Sequence, residues 1–163
     1  MPKTSQELVD FAHRGYRFAL SLTGDTTRAD DLLQDSWFAV LKADGPWEIG
    51  YLFTTIRNRF IDLHRRDCRW DTIPLDASPD PPDDVSPEFW NGKNLMVGDV
   101  VIEAALEALR PEERAVLYLA AVEEYSARKI GELLEWPRGT VLSILWRARE
   151  KIRRAVEESG TTK

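Results

Sequence analysis

The 163 residues are 43% hydrophobic and 31% charged, a balance that places the chain among folded globular proteins and excludes global disorder. No run approaches the ~18 apolar residues a membrane span needs, and the first residues lack the apolar stretch of a secretory signal. The single Cys68 cannot form an internal disulfide, and the two histidines, His13 and His64, are far apart; the expectation is a reduced cytoplasmic protein with no metal site, no cofactor and no membrane insertion.

Taken in chain order, the pattern predicts an all-α protein. Thr4–Glu7 reads as a capping box, after which Leu8, Phe11, Ala12, Tyr16, Ala19 and Leu20 recur at helical spacing, and Gly24 ends the helix. Thr27 with Asp30 opens a second helix with an apolar face of Ala29, Leu33, Trp37, Val40 and Leu41, stopped at Gly45-Pro46. A third runs over 47–69 with Leu52, Ile56, Phe60 and Leu63 inward. Five of the nine prolines then fall within 70–99, so neither helix nor sheet can run through 78–87. Apolar members of that stretch (Phe89, Trp90, Leu95, Met96) are available to dock elsewhere. Helices are expected again over 100–109, from Pro111 to Ala121, over 127–134 with Ser126 as cap, and over 138–158.

Charge divides the chain in the same places. Residues 1–69 carry ten Lys and Arg against ten Asp and Glu, and residues 100–163 carry eleven against eleven. Residues 70–99 carry one against seven, so the whole net charge of −6 sits in that segment. The layout is two small helical domains, 1–69 and 100–163, joined by an acidic proline-rich linker, 70–99. Global acidity says little about what the flanking domains bind, because charge acts over about a Debye length of ~8 Å.

The strongest local signal lies in 126–153. Ile130, Leu133 and Leu134 give a short helix one apolar face; Val141, Leu145, Ala148 and Ile152 give the next helix another. A turn of about three residues between them matches a helix-turn-helix, whose second helix enters a major groove. Arg138, Gly139 and Thr140 sit at that helix's N-terminus, where free N–H groups favour a phosphate, and Arg147, Arg149, Arg153 and Arg154 follow. An ordinary helical hairpin with a solvated basic face is the competing reading.

The run Pro137-x-Gly139-Thr140-Val141-x-Ser143, followed by Arg147-Ala148-Arg149 and preceded by Leu109-Arg110-Pro111-Glu112-Glu113-Arg114, resembles the C-terminal domain of extracytoplasmic-function (ECF) sigma factors. Ala29-Asp30-Asp31-Leu32-Leu33-Gln34-Asp35 and Tyr51-Leu52-Phe53-Thr54-Thr55-Ile56-Arg57-Asn58, with Ile61-Asp62 and Arg65-Arg66, resemble two motifs of that family's N-terminal domain. The resemblance covers most of 8–69 and 101–156. It implies a promoter-directing, non-enzymatic subunit that partners core RNA polymerase (its β′ clamp helices and β flap), promoter DNA and an anti-sigma factor.

It also implies roles by residue. Asp31, Gln34 and Asp35 would contact polymerase, although carboxylates in a first helical turn also suit the helix dipole for structural reasons alone. Asn58 and Asp62, one turn apart, would read the melted −10 element, with Arg57, Arg65 and Arg66 on its backbone. Trp47 and Tyr51 are open between stacking surface and plain core, and some of these arginines between contact and solvated face. Arg138, Gly139, Thr140, Ser143, Arg147 and Arg149 would read the −35 element. The linker's acidity fits either an ordinary exposed tether or an imitation of nucleic acid inside polymerase.

The sequence departs from the family in three places. Leu142, Ile144 and Trp146 stand where the family commonly has Lys, Arg and often His. Leu142 and Trp146 are expected on an outer face, available to thymine methyls, an anti-sigma protein or another subunit, with a protein partner preferred. The segment between Ala43 and Tyr51 is shorter than is usual, and Glu135 replaces the usual turn glycine. Two other readings compete with an active sigma factor: a sigma-like interaction protein that reads no promoter, and a dimeric helix-turn-helix repressor on a palindromic operator. An enzyme is disfavoured, because no metal set, nucleophile pair or phosphate loop is present.

Overall fold

The computed structural model describes residues 4–67 and 107–160. The expected linker, Cys68, Arg69 and residues 100–106 of the helix expected over 100–109 lie outside them. The described residues are helical, without a strand. They form two compact units: α1 (Ser5–Thr23), α2 (Thr26–Lys42) and α3 (Ile49–Asp67) in one, α4 (Pro111–Ala121), α5 (Ala127–Leu134) and α6 (Arg138–Gly160) in the other.

In the first unit each helix packs on both others. The capping box opens α1 as expected: the Thr4 hydroxyl accepts from the Glu7 N–H at 3.2 Å, and the Glu7 carboxylate accepts from the Thr4 N–H at 3.3 Å. Gly24 closes it at φ 66°, a left-handed conformation that suits a residue without Cβ. The inward stripe differs from expectation. Ala19 is buried, but its companions are Gly15, Phe18 and Leu22, while Leu8 is 42% exposed. Gly15 explains the rotation. A Cβ there would meet Leu52 Cδ2 at 2.8 Å and Leu33 Cδ1 at 3.0 Å, so α1 meets its neighbours along a line that a tally of apolar residues skips.

A similar substitution of a small residue hides the true face of α2. Asp25, two residues before the expected start, caps the helix by accepting from the Arg28 N–H at 2.8 Å. Ala29, Leu32, Ser36 and Val40 point inward, whereas Leu41, expected inside, is 56% exposed. Ser36 tolerates full burial because its hydroxyl donates to the Leu32 carbonyl at 2.7 Å. On α3, Leu52, Phe53, Ile56 and Phe60 are buried; Leu63, also expected inside, is exposed. Phe18 and Phe53 join α1 to α3 with ring centroids 4.8 Å apart, within the range of favourable aromatic pairs.

In the second unit the bounds of α4 and α5 and the start of α6 coincide with the sequence reading. Pro111 occupies the first turn of α4, where its missing N–H costs nothing. The buried Glu113 carboxylate accepts from the Arg110 N–H at 2.9 Å and from Lys151 Nζ at 2.8 Å, fastening the start of α4 to α6. Leu109 packs with Ala148 and Ile152. Ser126 caps α5 by accepting from the Lys129 N–H at 3.2 Å. At its other end Glu135 holds φ 56°, ψ 40°, the left-handed geometry that its place in the glycine position of the turn implies. Gly131 lies under this turn: a Cβ there would stand 2.6 Å from the Trp136 carbonyl oxygen.

Candidate nucleic-acid and protein interfaces

On α3 the packing residues Leu52, Phe53, Ile56 and Phe60 take one side, which leaves Asn58 and Asp62 exposed on the other and Arg59 exposed at its edge. The four-residue step from Asn58 to Asp62 puts both on one face. Arg57, half-buried, donates from Nη1 to Asn58 Oδ1 at 3.1 Å, orienting the amide whose edge is available for hydrogen bonding. Arg65 and Arg66 continue the helix, and their side chains lie outside the description. His64 stacks on Phe60 with centroids 4.1 Å apart.

Trp47 and Tyr51 are engaged in packing. The rings of Phe11, Trp37 and Trp47 form a closed trio, with centroid separations of 5.4, 6.0 and 5.5 Å. The Tyr51 ring lies over Gly45, where a Cβ would meet it at 2.5 Å. The short segment before α3 is therefore braced by aromatic contacts, and Trp47 and Tyr51 both keep part of their surface exposed.

Asp31, Gln34 and Asp35 are all exposed on α2, at spacings of three and four that make one stripe. The stripe continues into Phe38, which is 70% exposed. Sequence reasoning missed Phe38, although its place four residues after Gln34 and three after Asp35 carried the signal. A polar row ending in a bare aromatic ring is the composition of a protein interface: a large apolar anchor with polar neighbours that fix register.

The second unit carries a different surface. Arg138 and Gly139 are exposed at the start of α6, and Thr140 is half-buried beside them. A Cβ on Gly139 would meet no heavy atom within 4 Å, so the backbone at this helix start is open to an approaching phosphate. Ser143, Arg147 and Arg149 are half-buried further along, and Arg147 Nε donates to the Ser143 carbonyl at 3.4 Å. Burial draws the Arg149 pKa below its usual value. Arg153 is committed within its own helix: it holds Glu150 at 2.9 Å and Glu157 at 2.7 Å. Those contacts raise its own pKa and, chiefly through its hydrogen bond, lower that of Glu150.

Ile144 requires a correction. The family comparison groups it with Leu142 and Trp146 as a residue for a partner, but it is 1% exposed and belongs to the core with Val141, Leu145 and Ala148. Its position three residues after Val141 rotates it inward. Leu142 and Trp146 are half-buried; at 3.6 residues per turn Trp146 lies on the side away from that core and Leu142 at its shoulder.

No helix among the described residues is long and apolar enough to cross a membrane. Among them no group of three or more His, Cys, Asp or Glu could hold a metal ion.

Comparison with known proteins matches both units. Residues 10–69 fit the family described as Sigma-70 region 2, and residues 99–152 the family described as Sigma-70, region 4. The chain is 32% identical over 160 residues to the ECF RNA polymerase sigma factor SigE of Mycolicibacterium smegmatis, across 94% of this chain and 61% of that protein. It thus spans less than two thirds of that relative's length. It is 32% identical over 159 residues to the ECF RNA polymerase sigma factor SigL of Mycobacterium tuberculosis, covering 91% of this chain and 85% of the relative. Among solved structures, the sigma factor RpoE, crystallised with the anti-sigma factor NepR from Bartonella quintana, superposes with a TM-score of 0.67. It is 22% identical and the match covers 93% of this chain and 95% of that one, which establishes a shared fold.

Proposed function

Because the chain belongs to the ECF RNA polymerase sigma factors, we propose that it binds core RNA polymerase and directs promoter-specific initiation, with no catalysis of its own. The observation that carries this reading is the exposed Asn58–Asp62 pair on α3, opposite the helix's packed side. Promoter opening requires a protein that holds unstacked bases, and such a protein needs polar groups clear of its own core with cations nearby.

The domains are assigned as residues 1–69 for polymerase and the −10 element, 70–99 as linker, and 100–163 for the −35 element. Asn58 and Asp62 read −10 bases, with Arg57, Arg65 and Arg66 along the backbone. Asp31, Gln34 and Asp35 bind the β′ clamp helices, and Phe38 supplies the apolar anchor beside them. Arg138, Gly139 and Thr140 hold a phosphate at the start of α6; Ser143, Arg147 and Arg149 face the −35 duplex. The second unit also meets the β flap, and an anti-sigma protein competes for these surfaces. The place of action is the cytoplasm, where polymerase works.

The alternative, a sigma-like protein that reads no promoter, rests on three apolar residues of the recognition helix, Leu142, Ile144 and Trp146. Burial of Ile144 removes one of them and weakens that basis. The test is reconstitution. Added to core polymerase with a library of genomic fragments from its host, the chain is expected to produce transcripts that start at defined positions. Binding to polymerase with no chain-dependent transcript would support the alternative.

A further inference from the structure

We propose that α6 of this chain selects its DNA through thymine methyl groups, read by Leu142 with Trp146 beside it; this rests on the reading of α6 as the DNA-facing helix. Val141, Ile144, Leu145, Ala148 and Ile152 fix which side of α6 is packed. At 3.6 residues per turn the opposite side carries Gly139, Ser143 and Trp146, with Leu142 and Arg147 on its two shoulders. The part of a recognition helix nearest its N-terminus reaches base edges, and here that part runs from Arg138 to Arg147. Between those two arginines this side and its shoulders offer two hydroxyls (Thr140 and Ser143) and two apolar side chains, and no cation or amide that could pair bidentately with a purine. The chemistry of that surface matches the one apolar feature of the major groove, the C5 methyl of thymine.

Exposure and flanking charge together favour DNA over a protein as occupant. Phe38, 70% exposed, is a bare apolar group of the kind that calls for a covering partner. Leu142 and Trp146 are only half-exposed, so each offers an edge rather than a patch. An edge suffices to cover a methyl group. The flanking charge also favours DNA: Arg138 is exposed at the helix start and Arg154 is exposed three turns beyond Leu142, both suited to phosphates on either side of the groove.

The test uses the full chain bound to core RNA polymerase and a duplex library randomised upstream of the start site. From the selected sequence, each upstream thymine is replaced singly by deoxyuridine, which removes the methyl and leaves every hydrogen-bonding group in place. At one or two positions the replacement is expected to weaken binding about fourfold, the worth of one buried methyl. In Leu142→Ala, checked for helicity by circular dichroism, that discrimination is expected to vanish while the remaining sequence preference survives. Leu142→Lys, which keeps a long side chain, is expected to lose it as well. A selected sequence indifferent to deoxyuridine, or one whose methyl discrimination survives both variants, overturns the proposal, leaves DNA reading by α6 intact and returns Leu142 and Trp146 to a protein partner. If no upstream sequence is selected at all, the reading of α6 fails and the proposal falls with it.

Discussion

Gly139→Ala separates the fold of the second unit from its DNA contact. Glycine within a helix is less stable than alanine by roughly 0.5–1 kcal/mol, because more backbone freedom is lost on folding. The new Cβ would meet no heavy atom within 4 Å, so no steric term offsets that gain. For a unit of this size the change corresponds to a rise in melting temperature of about 2–8 °C. DNA binding should move the other way, since the added methyl stands where a phosphate approaches the helix start. Loss of one hydrogen bond to a charged group is worth about 1.5–3 kcal/mol, a ten- to hundredfold weaker complex. Thermal unfolding by circular dichroism and anisotropy with a labelled promoter duplex read the two effects on one preparation. The reasoning is refuted if Gly139→Ala melts lower, or melts higher and binds promoter as before. Gly131→Ala is the internal control: its Cβ would stand 2.6 Å from the Trp136 carbonyl oxygen, and overpacking of this kind costs about 1–3 kcal/mol, so this variant should melt lower.

Glu135→Gly should raise the urea midpoint of the second unit by an amount equivalent to about 1 kcal/mol, since φ 56° is strained for any residue with a Cβ; an unchanged midpoint would mean the turn is not strained. Glu113→Ala removes both the bond to the Arg110 N–H and the tie to Lys151. With Lys151 38% exposed, solvent screening limits the ion pair, and a loss of about 1–2 kcal/mol is expected in the same titration. Phe38→Ser should leave the melting temperature within about 1 °C, as expected of a surface change, but weaken binding to core polymerase at least tenfold in a pull-down titration. Unchanged affinity would remove α2 from that interface.

The sequence exposed the second unit better than the first, and the reason is chemical. Ser126, Pro111 and the turn at 135–137 are punctuation with specific backbone consequences, so α4 and α5 begin and end where those residues dictate. In α1 and α2 the inward faces run through Gly15 and Ser36, residues that pack closely because they are small and that no hydrophobic count rewards. Leu63 fits a helical stripe on paper, yet it is exposed, because periodicity specifies a face and not how far the neighbouring helices reach along it; Leu41 is exposed because the buried face of α2, through Ala29, Leu32, Ser36 and Val40, is turned away from it. Ile144 shows the converse. Comparison with the family pattern suggested a lost cation on a groove face, while its three-residue step from Val141 already placed it with the core. Phe38 stands on the side of α2 opposite Ala29, Leu32, Ser36 and Val40, and that side becomes evident only once the small Ser36 is recognised as part of the buried face.

The most direct test of the central claim is photocrosslinking from two positions of the same chain in a complete complex with core polymerase and promoter. With a photoreactive group at residue 58 in one preparation and at residue 138 in another, the account expects two separate crosslinks on the same DNA. The first should fall on single-stranded bases near the start site, the second on intact duplex well upstream. Crosslinks from both positions to one duplex region, or none to melted DNA from position 58, would contradict it.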